Sequence, residues 1–265
     1  MTDGRWRTAY ASVIGTSHTK TGLPCQDAGG CGVVIDADGS EVLVVAVSDG
    51  AGTASRSDSG SKLTVARFLR DFSEAAELGP GLSRIDETFA MEWIGSVLAD
   101  IARLATEEDC DVRDYACTLL GAVVGVSGSV YIQIGDGAIV VSAEVDGEYG
   151  WIFWPQHGEY ANTTNFITQP DVIKTLLFEQ GPPVREIAVF SDGIERLVLD
   201  LSTRTVHSPA FTPIFNWLAR TEPDRTATPS QALSAYLASD HVNNRTDDDK
   251  TLVMATRVTS PLPAG

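Results

Sequence analysis

Cysteine is scarce: Cys25, Cys31, Cys110 and Cys117 are the only four in 265 residues, and no two form a Cys-x-x-Cys pair. That excludes a disulfide scaffold and makes reduced thiols in a cytoplasmic protein the expectation. Basic residues are also few, 19 Lys and Arg against 36 Asp and Glu, for a formal net charge of -17. A surface this acidic repels phosphate backbones and anionic lipid, so nucleic acid and membranes are excluded as partners. Long apolar runs are missing too. The longest, residues 43–47 and 119–126, fall far short of the roughly 20 residues of a membrane span, and the first ten residues have no basic-then-apolar leader pattern. Repeats, low-complexity tracts and Pro/Ser-rich linkers are absent. The expectation is therefore one soluble, monomeric domain over 1–258 with an unstructured tail at 259–265.

What is present is a series of short β-branched apolar runs, at residues 7–14, 32–35, 41–47, 118–124, 130–134, 138–143, 150–154, 186–190 and 251–256, which read as strands. Asp38-Gly39 and Asp146-Gly147 lie between such runs and suit tight hairpin turns, so neighbouring strands are expected to be antiparallel. Apolar residues at helical spacing mark 62–77 and 84–107, with Asp86 as a first-turn acid. Shorter helical patterns occupy 215–220 and 230–239, with Ser230 as the expected N-cap. Hairpins interrupted by helix pairs predict an α+β fold in which helices cover sheets. So many strands form two sheets more easily than one.

Three of the apolar runs end alike, in VLVVAVSDG, VYIQIGDG and IAVFSDG, placing Asp49-Gly50, Asp136-Gly137 and Asp192-Gly193 at strand ends. A fourth acid cluster, Asp247-Asp248-Asp249, precedes TLVMAT. A carboxylate at the end of a buried strand is held rigidly, and the glycine after it lets the backbone turn and present its carbonyl. If these ends meet, the acids must bind protons or cations, and an oxygen-only set without His or Cys spacing suits Mg²⁺ or Mn²⁺ rather than zinc. Two such ions about 4 Å apart would acidify a bridging water and clamp a phosphoryl group. Each acid also has a plainer reading. Asp136-Gly137, flanked by runs able to pair, reads first as a hairpin turn, whereas Asp49 and Asp192 lack a close second strand. Asp36-Ala-Asp38-Gly39 reads as a turn, and the acids Glu107, Glu108, Asp109 and Asp111 as a solvated helix end.

The ordered blocks GTSHTKTGLPCQDA, VVAVSDGAGTASRSDSG, YACTLLGAVV, VYIQIGDG, VFSDGIE and DDKTLVMA resemble the signature series of metal-dependent serine/threonine phosphatases of the protein phosphatase 2C type. HGEYANTTNFIT, CQDA and DGAG look like a divergent bacterial branch. The resemblance covers residues 15–255 and lies in the order of the blocks, since each alone is weak. It implies a four-layer α-β-β-α sandwich with two antiparallel sheets between helix pairs. It further implies that Asp49 bridges two metals, that the Gly50 carbonyl binds one of them, and that Asp192 and Asp248 complete the other. Asp27 matches one acid of a pair that holds metal-bound water, with Gln26 in its partner's place, and Asp136 matches an acid of a weaker third metal. Asp248 is preferred to Asp247 and Asp249 because Asp248-Asp249-Lys250-Thr251 fits the family's pattern.

Two departures stand out. The family's phosphate-binding arginine falls at Gly22, and a histidine that protonates the leaving group falls at Ala54. Candidate replacements are Arg56 as a bidentate phosphate partner, Lys20 as a looser charge and His18 as general acid. His157, His207 and His241 show no partner pattern. A Gly-x-Ser-x-Gly elbow, a P-loop and a dinucleotide glycine motif are all missing, and a two-carboxylate glycosidase would not account for four acids in this order. The expected activity is hydrolysis of phosphoserine and phosphothreonine in proteins by a water activated by two Mn²⁺ or Mg²⁺ ions, with a cognate kinase as counterpart. The alternative is a pseudophosphatase that binds phosphoproteins as a regulatory module.

Overall fold

A computed structural model describes residues 4–79, 81–144, 147–155, 164–222 and 225–259. In chain order the elements are β1 (Gly4–Val13), α1 (Thr16–Thr21), β2 (Ala28–Ile35), β3 (Glu41–Ser48), α2 (Ser57–Glu77), α3 (Glu87–Glu107), β4 (Leu119–Val124), β5 (Ser129–Ile134), β6 (Ala138–Ser142) and β7 (Gly150–Trp151). They continue with β8 (Leu177–Gly181), β9 (Glu186–Phe190), α4 (Asp192–Val198), β10 (Leu199–Asp200), β11 (Thr205–Val206), α5 (Ser208–Leu218), α6 (Ala227–Leu237), α7 (Asp240–Asn243) and β12 (Lys250–Thr259).

Two five-stranded antiparallel sheets form the centre, in the orders β1-β12-β9-β6-β7 and β2-β3-β4-β5-β8. Their facing sides bury Leu43, Val45, Leu120, Tyr131, Val189 and Val253 against each other. On the outer side of the second sheet, Val42, Val44 and Val123 meet Phe68 and Phe72 of α2 and Trp93 and Ile94 of α3. The outer side of the first sheet is covered by Ile194 and Val198 of α4, Phe211 and Phe215 of α5 and Leu233 of α6. The layers therefore run helix, sheet, sheet, helix. Strands β3 and β4 are apolar on both faces because each face touches another layer, which explains why their sequence runs continuously apolar instead of alternating. The α2 ring pair Phe68 and Phe72 stacks at 3.9 Å and meets Trp93 edge-on; burying each ring contributes about 1.5–3 kcal/mol.

Several expectations change. Residues 135–137 are not a hairpin, because β5 and β6 belong to different sheets and the chain passes between them there. Gly137, at φ +88, permits that passage, and a Cβ on it would lie 2.6 Å from the Phe190 carbonyl oxygen. The Asp38-Gly39 turn does close a hairpin, where the Asp36 carboxylate accepts the amides of Asp38 and Ser40. Asp146 lies outside the described residues. Asp86 is the N-cap of α3, accepting the Phe89 amide, rather than a first-turn residue. Ser230 is inside α6, whose N-cap is Thr226, and its hydroxyl receives the Tyr10 amide of β1. The helix expected from 215 starts at Ser208, with Pro209 in its first turn and Pro213 inside it. Strand β12 extends through Thr259, the first residue of the expected tail, and residues 260–265 lie outside the described residues.

Candidate functional site

The ends of β3, β9 and β12, the β5–β6 passage and the loop before β2 bring their acids together at one end of the sandwich. Asp49 follows β3 directly. Its amide donates to Thr118 Oγ1 at 2.9 Å, and its carbonyl accepts the Thr118 amide at 2.8 Å, fixing the main chain on both sides. Gly50 bridges to Cys117 across an isolated antiparallel pair. No larger residue fits there, since a Cβ would stand 2.7 Å from the Gln26 carbonyl oxygen and 2.8 Å from Ser57.

Asp192 opens α4, and Ser191 before it is a junction. The Ser191 hydroxyl donates to Asp27 Oδ2 at 2.7 Å and accepts the Thr251 amide at 3.0 Å. Asp136, in the passage between sheets, receives the Thr164 hydroxyl at 2.6 Å. Glu195 lies three residues after Asp192 and thus on the same face of α4. It is buried, and its Oε1 accepts the Gly137 amide at 2.9 Å. Glu195 was absent from the expected site. Its signal was the Asp-Gly-Ile-Glu spacing, which becomes meaningful only once IAVFSDG is known to pass from strand to helix.

Of the three consecutive acids before β12, each does something different. The Asp247 carbonyl takes the Ser17 amide and hydroxyl. Asp248 is exposed and adds its charge to the surroundings of Asp192. Asp249 is buried and accepts three groups: the amides of Gly15 and Gln26, both at 2.6 Å, and His18 Nδ1 at 3.0 Å. It thereby ties α1 and the Gln26-Asp27 loop to β12. Lys250, fully buried, donates to the Asp248 carbonyl at 3.0 Å, and burial depresses its pKa.

Electrostatics set this end of the molecule apart. Asp49 lies close enough to both Asp27 and Asp192 for the three carboxyls to act on one another. Burial first, then the charges of Asp27, Asp192 and Asp136, hold the Asp49 carboxyl well above the usual carboxylate range. Burial likewise raises Asp27 to about 7, Asp192 to about 6 and Glu195 to about 7, with neighbouring acids adding to each. Carboxylates this close to one another must share protons or a cation. Among the described residues no three His, Cys, Asp or Glu side chains are disposed as a ready cage for a metal ion. The donor chemistry nonetheless fits hard divalent cations, being all oxygen, densely acidic and held on rigid elements. A second observation agrees: Gln26 Oε1 is buried with no protein hydrogen-bond partner, as suits a group that receives an ordered water.

The expected substrate-binding residues are placed less simply. Arg56 is the N-cap residue of α2, and its guanidinium pairs with Glu108. Lys20 is exposed on α1. His18 is largely covered and bound to Asp249, so of these three it alone is tied by hydrogen bonding to the acidic end. Gly22, at the arginine position, caps α1 with φ +75, and Ala54 is buried in the loop after Asp49. His157 lies outside the described residues.

Comparison with known proteins accounts for this arrangement. The family model described as protein phosphatase 2C matches residues 14–238. Serine/threonine-protein phosphatase 3 of Escherichia coli (strain K12) is 37% identical over 254 residues, covering 94% of this chain and 98% of that protein. Among solved structures, the serine/threonine phosphatase Stp1 of Staphylococcus aureus superimposes with a TM-score of 0.59 at 16% identity, over 97% of this chain and 95% of its own. The catalytic domain of the serine/threonine phosphatase PstP, solved with 2 manganese ions, gives 0.58 at 17% identity, over 96% and 99%. These two show the fold. The family model and the Escherichia coli relative show the ancestry, and the chain belongs to the protein phosphatase 2C family.

Proposed function

We propose that this member of the family hydrolyses phosphoserine and phosphothreonine in proteins, with Asp49, Asp192, Asp248 and the Gly50 carbonyl holding two divalent cations, Mn²⁺ or Mg²⁺, and Asp136 beside a weaker third. Metal-dependent serine/threonine phosphatase activity comes with the family. The observation that carries the residue roles is the buried cluster Asp27, Asp49, Asp192, whose members come from three separate segments and are each pushed above the usual carboxylate range. When bound, the cations would neutralise these acids, acidify a water and polarise the phosphoryl oxygens.

The chain's own groups divide the remaining tasks. Gln26 Oε1 is free to accept a hydrogen bond from water, and Asp27, at about 7, can hold or release a proton near neutrality. The Asp249 carboxylate on Nδ1 fixes the His18 ring and leaves Nε2 as the nitrogen able to face a leaving alkoxide. Lys20, two residues on in the same helix, offers a loose charge for phosphate, and Arg56 a bidentate one once released from Glu108.

The test is phosphate release from a phosphothreonine peptide in Mn²⁺ and in chelator. Activity that survives exhaustive chelation would overturn the reading. Binding of Mn²⁺ without any turnover would instead support a phosphoprotein-binding module, the reading favoured by Gly22 and Ala54. For His18→Gln, a loss of about 100-fold or more in kcat is expected, within the range for general acids. An unchanged kcat would restrict His18 to holding Asp249.

A further inference from the structure

On the far side of α4 from the acids, Ile194, Leu197 and Val198 line a cavity of about 220 Å³ between α5, α7 and β12. It shares the walls Pro209, Ala210, Ile214 and Tyr236 with a wider apolar depression of about 450 Å³ between α5 and α6, where Trp217 and Tyr236 are 41% and 47% exposed. Together they reach the size of ordinary small-molecule sites.

The polar side of this cavity is of one kind. His207, His241 and Arg245, all exposed, line it, and no side chain of these three has a protein hydrogen-bond or ion-pair partner among the described residues. Among the described residues no Asp or Glu lines either depression. An unpaired guanidinium offers a planar fork to an anion, and an imidazole donates a hydrogen bond in either protonation state. Elsewhere the charge of -17 repels anions, so a local donor cluster opening on an apolar trough selects for an anionic head attached to an apolar body.

We propose that this is a binding site for a medium-chain carboxylate, its head on Arg245, His241 and His207 and its chain running past Ile214 to Trp217. The site is separate from the phosphatase centre, and binding does not depend on turnover.

The probe is decanoate, kept below its micelle concentration and followed by calorimetry and by tryptophan fluorescence. Saturable, millimolar or tighter binding is expected, with a fluorescence change that disappears in Trp217→Phe while the heat remains. Decanol and decyltrimethylammonium should bind at least about ten-fold more weakly, as should decanoate to the double variant His241→Gln, Arg245→Gln, about ten-fold being what one charged contact commonly carries. Both altered side chains are exposed, so the variant should fold. Ala210→Phe, which fills the shared wall, gives an independent arm. Absence of saturable binding, equal binding of the cationic or neutral chain, or an unchanged affinity in the double variant would overturn the site.

Discussion

Asp49→Asn is expected to lower kcat/KM for a phosphothreonine peptide in Mn²⁺ by about 1,000-fold or more while leaving the fold intact. Such a loss corresponds to about 4 kcal/mol of transition-state stabilisation. The size follows from position. Asp49 sits between two other acids, Asp27 and Asp192, so a neutral amide there removes the charge shared by every proposed cation contact. Asn keeps the volume and can still hydrogen-bond, and the main chain remains fixed by Thr118. Removing a buried acid that its neighbours already disfavour should raise, not lower, the melting temperature in chelator. The two readouts must therefore move in opposite directions. Equal activity in the two proteins would exclude the proposed centre; a lost fold would instead mean that Asp49 is structural.

The sequence made the strand ends legible because Asp-Gly closed apolar runs that could only be buried, and the family resemblance supplied their spatial order. The strand-end acids Asp49, Asp136 and Asp192 do lie near one another, and Asp27, which only the family resemblance pointed to, joins them. What the sequence hid has physical causes. The passage at Asp136 resembled a hairpin because two apolar runs flank it, and nothing local says that they join different sheets. Strand β8, reading Leu-Phe-Glu-Gln-Gly, is an edge strand pairing only with β5, and its polar composition reflects that one-sided role. Helix α1, reading Thr-Ser-His-Thr-Lys-Thr, buries no residue and has little helix propensity. It is held by tertiary bonds from Ser17 and His18 to Asp247 and Asp249, more than 220 residues away. The same contacts turn Asp249, which the motif pattern set aside as a ligand, into the residue that fixes Gln26 and His18.

In chelator, the protein is expected to lose stability as pH rises from about 5 to about 8, and Mn²⁺ should restore it. An ordinary carboxyl titrates near 4, whereas folding raises Asp27 to about 7, Asp192 to about 6 and Glu195 to about 7. A raised pKa means that the folded form binds these protons more tightly than the unfolded one, so stability falls with pH between the two values and levels off above the higher. Chelated samples should thus melt highest near pH 5 and lowest near pH 8. A cation that binds only the folded protein reverses the trend by mass action, by about 2.7 kcal/mol at a hundred-fold excess over its dissociation constant. For a chain of this length that amounts to a rise of roughly 5–10 °C. In Asp49→Asn the pH slope should flatten and the Mn²⁺ increment should shrink, since both arise from the same shared protons. The chain's general negative charge also favours the acid side, so the increment restored by metal at pH 8 and lost in Asp49→Asn is the diagnostic quantity. A melting temperature that climbs toward pH 8 in chelator, or one indifferent to millimolar Mn²⁺, would show that these acids do not act as a cation site.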